Sequence, residues 1–304
     1  MRFNTDLTEY LTAHTEPIYA LEQHGNHTFY SGGGDGHLLY WDLNNTSQAH
    51  TIAKTSDSIY LIKYLGDDRL ILGTNSGDIY LIDRQKKQIL AENNLGQTIF
   101  DCAIIRPQKR AFVTLANGHL SSISLESLEV LQSKKIADDH LRCITSNSDS
   151  SRYAIGASDG SITLVDTDGN VILRQQNAHS DSVFSIYFDG FHRLLSGGKD
   201  AYLKSWLINE RALSEENAVP AHLFTINNIV EGPFNGLVTT ASRDKSIRIW
   251  DVQTLLLQKA LDRSKHPEAS THSVNRLLYL NKGCLISAGD DRVIRIFKIS
   301  GSDD

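Results

Sequence analysis

A turn motif recurs seven times along the chain, and this repetition limits the folds that the sequence can adopt. The motif is clearest in residues 178–208, where three short apolar runs, 183–188, 193–196 and 201–207, are separated by turns rich in Gly and Asp. Such runs predict an antiparallel β-meander. One meander cannot bury both of its faces, so the repeats must pack on one another. The central turn residue recurs every 41 to 47 residues, at Asp35, Ser76, Asn117, Asp159, Asp200, Asp244 and Asp291.

Two dipeptides recur in register with this turn. Ala-His opens three repeats and Trp-Asp closes two, at Ala13-His14, Ala178-His179, Ala221-His222, Trp41-Asp42 and Trp250-Asp251. Over nearly the whole chain this pattern resembles the WD-repeat family. The resemblance implies an all-β fold, a seven-bladed β-propeller with four antiparallel strands in each blade around a central channel.

The two ends of the chain are predicted to meet in one blade. The last repeat has three apolar runs before it ends in GSDD, whereas residues 1–12 precede the first repeat and alternate between apolar and polar. We therefore expect residues 2–11 to pair with residues 293–299, which removes an exposed sheet edge. The prediction is one domain over residues 1–304: an outer strand of blade seven in 1–12, seven repeats in 13–299 and a tail in 300–304.

From the sequence we expect no cofactor, no nucleic-acid partner and no membrane association. The net charge of −6 does not favour a nucleic-acid partner. No apolar run approaches the roughly 18 residues of a membrane span. Three cysteines without CxxC spacing are typical of reduced thiols. We expect a cytoplasmic protein, a monomeric propeller within a complex.

The resemblance implies a hydrogen-bonded polar network inside several blades. A turn Asp, a His, a hydroxyl and a Trp indole have complementary donors and acceptors. Such Ser, His and Asp sets also suggest a catalytic triad, but their recurrence at equivalent, predicted-buried positions favours a structural role. We predict no catalytic residue, no metal site and no enzyme. The complete sets are His14/Ser31/Asp35/Trp41, His179/Ser196/Asp200/Trp206 and His222/Thr240/Asp244/Trp250.

The resemblance also implies that three columns of residues lie around the mouth of the channel and contact partners. One column follows the leading apolar residue of each first strand, another lies two residues before it, and the third precedes the turn Asp. The candidates are Tyr19, Tyr60, Phe100, Arg142, Phe184, Asn227 and Asn275 in the first column, Glu16, Asp57, Asp139 and Asp181 in the second, and Lys199 and Arg243 in the third.

These residues allow several interpretations. Aromatic rings flanked by carboxylates suit a Lys or Arg side chain of an extended peptide, through cation–π contacts and ion pairs. The same rings could instead only pack between blades. Arg142, Lys199 and Arg243 suggest an alternative, a reader of phosphorylated or acidic motifs. Another is an enzyme or small-ligand binder that uses the channel. We predict a non-catalytic scaffold for other proteins or peptides, with basic segments among the candidate ligands.

Overall fold

The computed structural model describes residues 3–45, 48–190, 192–281 and 283–301. Over these residues the chain forms 28 β-strands and one short 3-10 helix, Arg106–Gln108. The described part contains no helix long and apolar enough to cross a membrane.

The strands form seven four-stranded sheets in the described part of the chain. Sheet 1 contains β2 (Ile18–Gln23), β3 (Thr28–Gly33), β4 (His37–Asp42) and β5 (His50–Lys54), and sheet 2 contains β6 (Ile59–Gly66), β7 (Arg69–Thr74), β8 (Asp78–Asp83) and β9 (Gln88–Asn94). Sheet 3 contains β10 (Ile99–Ile105), β11 (Arg110–Leu115), β12 (His119–Ser124) and β13 (Val130–Lys135), and sheet 4 contains β14 (Leu141–Ser146), β15 (Arg152–Ala157), β16 (Ile162–Asp166) and β17 (Val171–Gln175). Sheet 5 contains β18 (Val183–Phe188), β19 (Arg193–Gly198), β20 (Tyr202–Ile208) and β21 (Leu213–Pro220), and sheet 6 contains β22 (Ile226–Glu231), β23 (Leu237–Ser242), β24 (Ile247–Asp251) and β25 (Leu257–Leu261). Sheet 7 contains β26 (Val274–Asn281), β27 (Cys284–Gly289), β28 (Val293–Gly301) and β1 (Phe3–Thr12).

The predicted fold class, a seven-bladed β-propeller with four antiparallel strands in each blade, is confirmed. In sheets 1 to 6 the strands follow the chain order, as the repeated meander predicts. Burial falls from the second strand to the fourth: β19 and β23 are buried at every residue, whereas the outer strand β13 is mostly exposed. The core therefore lies along the second and third strands, where the apolar residues of each repeat are concentrated.

The N-terminal strand completes the last sheet, as predicted. β1 pairs antiparallel with β28, from Phe3 opposite Gly301 to Thr12 opposite Val293. β28 continues through Gly301 rather than ending at residue 299, so residues 300 and 301, assigned to the tail from sequence, belong to the strand. Residue 2 of the expected pairing and residues 302–304 of the tail lie outside the described residues.

The chain divides into two compact units, Met1–Tyr64 with Asn227–Asp304, and Leu65–Ile226. In the first unit, β2 packs against β26 and β27, and the Asn275 amide donates to the Ile18 carbonyl at 3.1 Å. In the second unit, β14 packs between β10 and β18, and the Asp101 carboxylate accepts a hydrogen bond from the Ile144 N–H at 3.1 Å. Neighbouring sheets in each unit are thus joined by polar contacts as well as apolar ones.

Candidate functional site

β-Bulges position five of the seven predicted mouth residues of the first column. In sheet 3 the register passes from Ile99 opposite Leu115 to Asp101 opposite Thr114, so Phe100 is an extra residue of its strand. A bulge of this kind redirects the extra side chain and leaves it unpaired in the ladder. The same shift makes extra residues of Tyr19, Arg142, Phe184 and Asn275 in sheets 1, 4, 5 and 7.

In the first unit, two of these residues form an aromatic pair among carboxylates. The Tyr19 and Tyr60 rings pack edge to face with centroids 4.9 Å apart. Burial raises the pKa of the Tyr19 phenol, and Tyr60, Asp290 and Glu16 raise it further. Glu16 and Asp290 are themselves exposed. We call Glu16, Tyr19, Tyr60 and Asp290 the tyrosine patch. It combines two negatively charged carboxylates with two aromatic rings.

The tyrosine patch is open on the side of Gly34. A Cβ atom at Gly34 would lie 3.0 Å from the Cβ of Glu16 and 3.6 Å from Cε2 of Tyr19. Glycine therefore leaves these two side chains uncovered where any other residue would lie against them. Within the described part of the chain, no cation forms an ion pair with Glu16.

Asn227 and Asn275, the two asparagines of the first column of mouth residues, join neighbouring sheets within the first unit. Asn227 donates through Nδ2 to the Ser273 hydroxyl and the Val274 carbonyl, both at 2.9 Å. Asn275 donates through Nδ2 to Asp290 at 2.8 Å, in addition to its bond with sheet 1. Their amides are engaged within the protein, which favours a structural role for both.

In the second unit, an arginine of the chain itself lies between two of the predicted aromatic residues. The Arg142 guanidinium carbon is 4.6 Å from the Phe100 ring centroid and 5.2 Å from that of Phe184. Its Nε donates to the Ser158 hydroxyl at 2.7 Å. A cation between two rings forms the contact that we expected from a partner's Lys or Arg. Sequence reasoning placed all three residues on one face but missed this pairing.

The predicted cations and the remaining acids are dispersed over the two units. In the second unit, Lys199 Nζ lies 3.0 Å from Asp181 Oδ2, and Asp139 accepts a hydrogen bond from the His140 N–H at 2.7 Å. In the first unit, Asp57 accepts from the Ser58 N–H at 2.7 Å and Arg243 is exposed. With Arg142 and Lys199 each engaged within the protein, no observation favours a reader of acidic or phosphorylated motifs built on Arg142, Lys199 and Arg243.

Two exposed apolar residues were not among the predicted site residues. Leu223 and Phe224 of the second unit are 79% and 59% exposed. Phe224 belongs to the column of Glu16 and Asp181, where an apolar residue is unusual in this chain. That departure from the acidic column was the available sequence signal.

The polar network of sheet 1 forms as predicted. His14 Nδ1 lies 3.0 Å from both carboxylate oxygens of Asp35, and His14 Nε2 lies 2.7 Å from the Ser31 hydroxyl. The Trp41 indole N–H donates to the same hydroxyl at 2.8 Å. A neutral imidazole protonated at Nδ1 fits every atom: it donates to Asp35 and accepts from Ser31, which in turn accepts from Trp41.

Sheet 5 repeats this arrangement in the second unit. His179 Nδ1 lies 2.9 Å from Asp200 Oδ1, His179 Nε2 lies 2.7 Å from the Ser196 hydroxyl, and the Trp206 indole donates to Ser196 at 2.8 Å. Two sets built from sequence-equivalent residues with the same geometry indicate a structural device of the repeat.

Sheet 6 contains the indole contact of the network, and sheet 7 varies the network. The Trp250 indole donates to Thr240 at 2.9 Å, and His222 is buried. In sheet 7, Asp291 accepts from the Ser270 hydroxyl at 2.9 Å, at the position where sheets 1, 5 and 6 have a histidine, and pairs with the buried Arg295 at 2.8 Å. A shorter hydroxyl and an arginine thus replace the imidazole as partners of the turn carboxylate.

Three turn aspartates, Asp35, Asp200 and Asp291, have lowered pKa values. Burial would raise the pKa of the Asp200 carboxyl, but hydrogen bonding and charge from His179 and the N–H groups of Tyr202 and Ser180 outweigh it, so the pKa is lowered. Burial is likewise outweighed at Asp35 and Asp291, whose pKa values are also lowered. A carboxyl group whose pKa is lower in the folded state than in the unfolded state stabilises the folded protein at any pH above the unfolded-state pKa. This stabilisation is lost as the pH falls through the folded-state pKa, because the carboxylate is then protonated.

We therefore expect the stability contributed by Asp200 to depend on pH. At neutral pH Asp200→Asn should lower the free energy of unfolding by about 1–3 kcal/mol, since the charged acceptor of several hydrogen bonds is removed. The difference from the unsubstituted protein should narrow as the pH falls from about 5 to about 3, because protonation then removes the same charge. Urea denaturation across this range measures it, with exposed Asp67→Asn as the control. A pH-independent difference would contradict the role of the charge.

Among the described residues, no group of three or more His, Cys, Asp or Glu side chains is arranged to hold a metal ion. Cys102 and Cys143 are buried free thiols and Cys284 is partly buried.

Comparison with known proteins agrees with this architecture. The family model of the WD domain, G-beta repeat, matches residues 5–42, 170–206 and 215–251. With its seven four-stranded sheets, the protein is a WD-repeat β-propeller, as the sequence resemblance predicts. Each matched stretch begins near or within the outer strand of one sheet and ends in the third strand of the next, so the sequence repeat and the sheet are offset by one strand.

Similar proteins include three much longer chains. Protein transport protein SEC31 of Coccidioides immitis (strain RS) is 32% identical over 104 residues, which cover 32% of this chain and 8% of the relative. Telomerase protein component 1 of Mus musculus is 21% identical over 220 residues, 72% of this chain and 8% of the relative. Mitochondrial division protein 1 of Kluyveromyces lactis is 24% identical over 199 residues, 60% of this chain and 28% of the relative. The chain therefore spans less than a third of the length of these relatives. WD-repeat propellers generally act as non-catalytic scaffolds for protein interactions.

Proposed function

We propose that this protein is a non-catalytic scaffold that binds other proteins, and that the tyrosine patch binds a Lys or Arg side chain of an extended partner segment. The patch offers two exposed carboxylates beside an aromatic pair. Together they suit a cation with an alkyl stem, through ion pairs and contact with the rings.

Comparison of two repeats carries this proposal. In sheet 5 the residue before the turn Asp is Lys199, and it forms an ion pair with Asp181. In sheet 1 the corresponding residues are Gly34 and Glu16. The acid is retained but the lysine is replaced by glycine, so the position of the missing ammonium group is open to a cation from another molecule.

The same structure supports a role without catalysis. The Ser31 and Ser196 hydroxyls belong to fully buried residues and are held between an imidazole and an indole. A serine nucleophile needs access to its substrate, and these two have none.

A basic peptide tests the proposal. A short fluorescein-labelled peptide of alternating alanine and arginine should bind, and Glu16→Gln should weaken its binding about two- to fivefold, the loss expected for one exposed ion pair. Gly34→Lys should weaken binding at least as much, because it supplies the lysine that sheet 5 already has. Fluorescence anisotropy measures the affinity.

The control is Glu210→Gln, which removes a charge from an exposed residue of the second unit. It should leave peptide binding unchanged. Equal affinity for the peptide in all three folded variants would refute binding at the tyrosine patch.

A further inference from the structure

A cleft lies beside the outer strand of sheet 6, away from the residues of the tyrosine patch. Its volume is about 470 Å³, and it lies wholly within the first unit. Residues of β25 and of the loop that follows this strand line it: Leu257, Gln258, Lys259, Ala260, Lys265 and His266.

Four of these residues are consecutive, and this locates the cleft. Alternate side chains of a strand point to opposite faces of the sheet, so a cleft over one face meets every second residue. A cleft lined by residues 257–260 in succession must run along the edge of β25. That strand is the last of its sheet, and an edge strand directs alternate N–H and C=O groups outward.

The wall opposite the edge carries the Lys265 ammonium group and is held in place by hydrogen bonds. The Asp262 carboxylate accepts a hydrogen bond from the Ser264 N–H at 2.9 Å. The main-chain carbonyl of Asp262 accepts one from the His266 N–H at 2.8 Å. The Glu268 carbonyl accepts from Nε of the buried Arg295 at 2.9 Å. In the described part of the chain, Lys265 forms no ion pair, whereas His266 Nδ1 lies 3.4 Å from Glu268 Oε1. No carboxylate is among the residues that line the cleft.

We propose that this cleft binds an extended acidic segment of a partner protein, which adds to sheet 6 as a fifth strand. The main chain of the segment pairs with the edge of β25, and its carboxylates face Lys265. Lys259 Nζ donates a hydrogen bond to the Phe3 carbonyl at 3.3 Å, which holds β25 against β1. Leu256 and Leu257, 63% and 47% exposed, offer apolar contacts where the strand begins. Strand addition obtains affinity from main-chain hydrogen bonds and specificity from alternate side chains.

The probe for this cleft is a short fluorescein-labelled peptide of alternating valine and glutamate, which presents all its carboxylates on one side when extended. It should bind the full chain, and Lys265→Glu should weaken binding at least about tenfold, through a lost attraction and a new repulsion. Hydrogen exchange of the amides in Leu257–Leu261 should slow when the peptide is bound. A peptide of the same charge with proline in place of valine should not bind, because it cannot pair along the edge.

Arg263→Glu is the matched control, since Arg263 is exposed in the same loop but does not line the cleft. It should weaken binding less than about threefold, by long-range charge alone. The proposal is overturned if both charge reversals weaken binding equally, if the proline peptide binds as well as the valine peptide, or if amide exchange in residues 257–261 does not change. Displacement of the peptide by inorganic phosphate at equal concentration would also overturn it, and would indicate a small-anion site.

Discussion

Replacing Phe3 and Leu11 together with alanine should bring the protein close to global unfolding. These residues are 5% and 3% exposed, and they lie in separate apolar clusters at the two ends of β1. Each large-to-small change in a core costs about 2–5 kcal/mol, and such distant sites add, so the pair should cost about 4–10 kcal/mol. The free energy of unfolding of a whole domain is only about 5–15 kcal/mol. Urea denaturation followed by tryptophan fluorescence measures the loss.

The control changes two exposed residues of the same strand, Asn4→Ala with Asp6→Ala. This pair should alter stability by no more than about 1 kcal/mol. Deletion of residues 1–12 should be at least as damaging as the loss of Phe3 and Leu11, because it also exposes the edge of β28. If the truncated protein and the core variant melt at the temperature of the control, β1 does not hold sheet 7 together.

Gly118→Val should be the most damaging single substitution in a turn of the second unit. Gly118 has a φ of +80°, a conformation that side-chain-bearing residues rarely adopt, and a Cβ atom there would lie 2.0 Å from the Ala137 carbonyl oxygen. Ala137 belongs to the connection that leads into sheet 4. In the same connection, the Ile136 N–H donates to the Gly118 carbonyl at 2.9 Å. Backbone strain and the steric clash together should cost about 3–5 kcal/mol.

Gly96→Val separates these two causes. Gly96 also has a positive φ, +69°, but no atom lies within 4 Å of its added Cβ. Gly96→Val should therefore lose only the stability that the strain of the left-handed conformation costs, about 1–2 kcal/mol. Thermal and urea denaturation of both variants gives the comparison. Equal losses in the two variants would show that the carbonyl contact at Gly118 is relieved without cost.

The number of sheets and the closure of sheet 7 could be predicted from sequence because both depend on local signals. Turn residues at a steady spacing mark each meander, and an unpaired alternating segment before the first repeat identifies the missing strand of the last. The polar network was predictable for the same reason: His14, Ser31, Asp35 and Trp41 stand at offsets that other repeats copy. Repetition turns a weak pattern into a reliable one.

What the mouth residues contact could not be predicted in the same way. Alignment placed Arg142, Phe100 and Phe184 in one column, but the cation–π contact depends on the distance between neighbouring sheets, which no repeat encodes. Asn227 and Asn275 likewise bond to the adjacent sheet. The cleft beside β25 was hidden for another reason, since its cationic wall belongs to the longest connection between repeats, where the sequences no longer align.

The pairing of β1 with β28 determines how the protein responds to mechanical load. Phe3 faces Gly301, so residues near both ends of the chain lie side by side at one end of an antiparallel ladder. When Phe3 and Gly301 are pulled apart, the hydrogen bonds between β1 and β28 break one at a time, starting at Phe3. If the two strands were instead pulled in opposite directions along the strand axis, all of these bonds would bear the load together. Sheet 7 is accordingly where stretching the chain by its ends begins to open the fold.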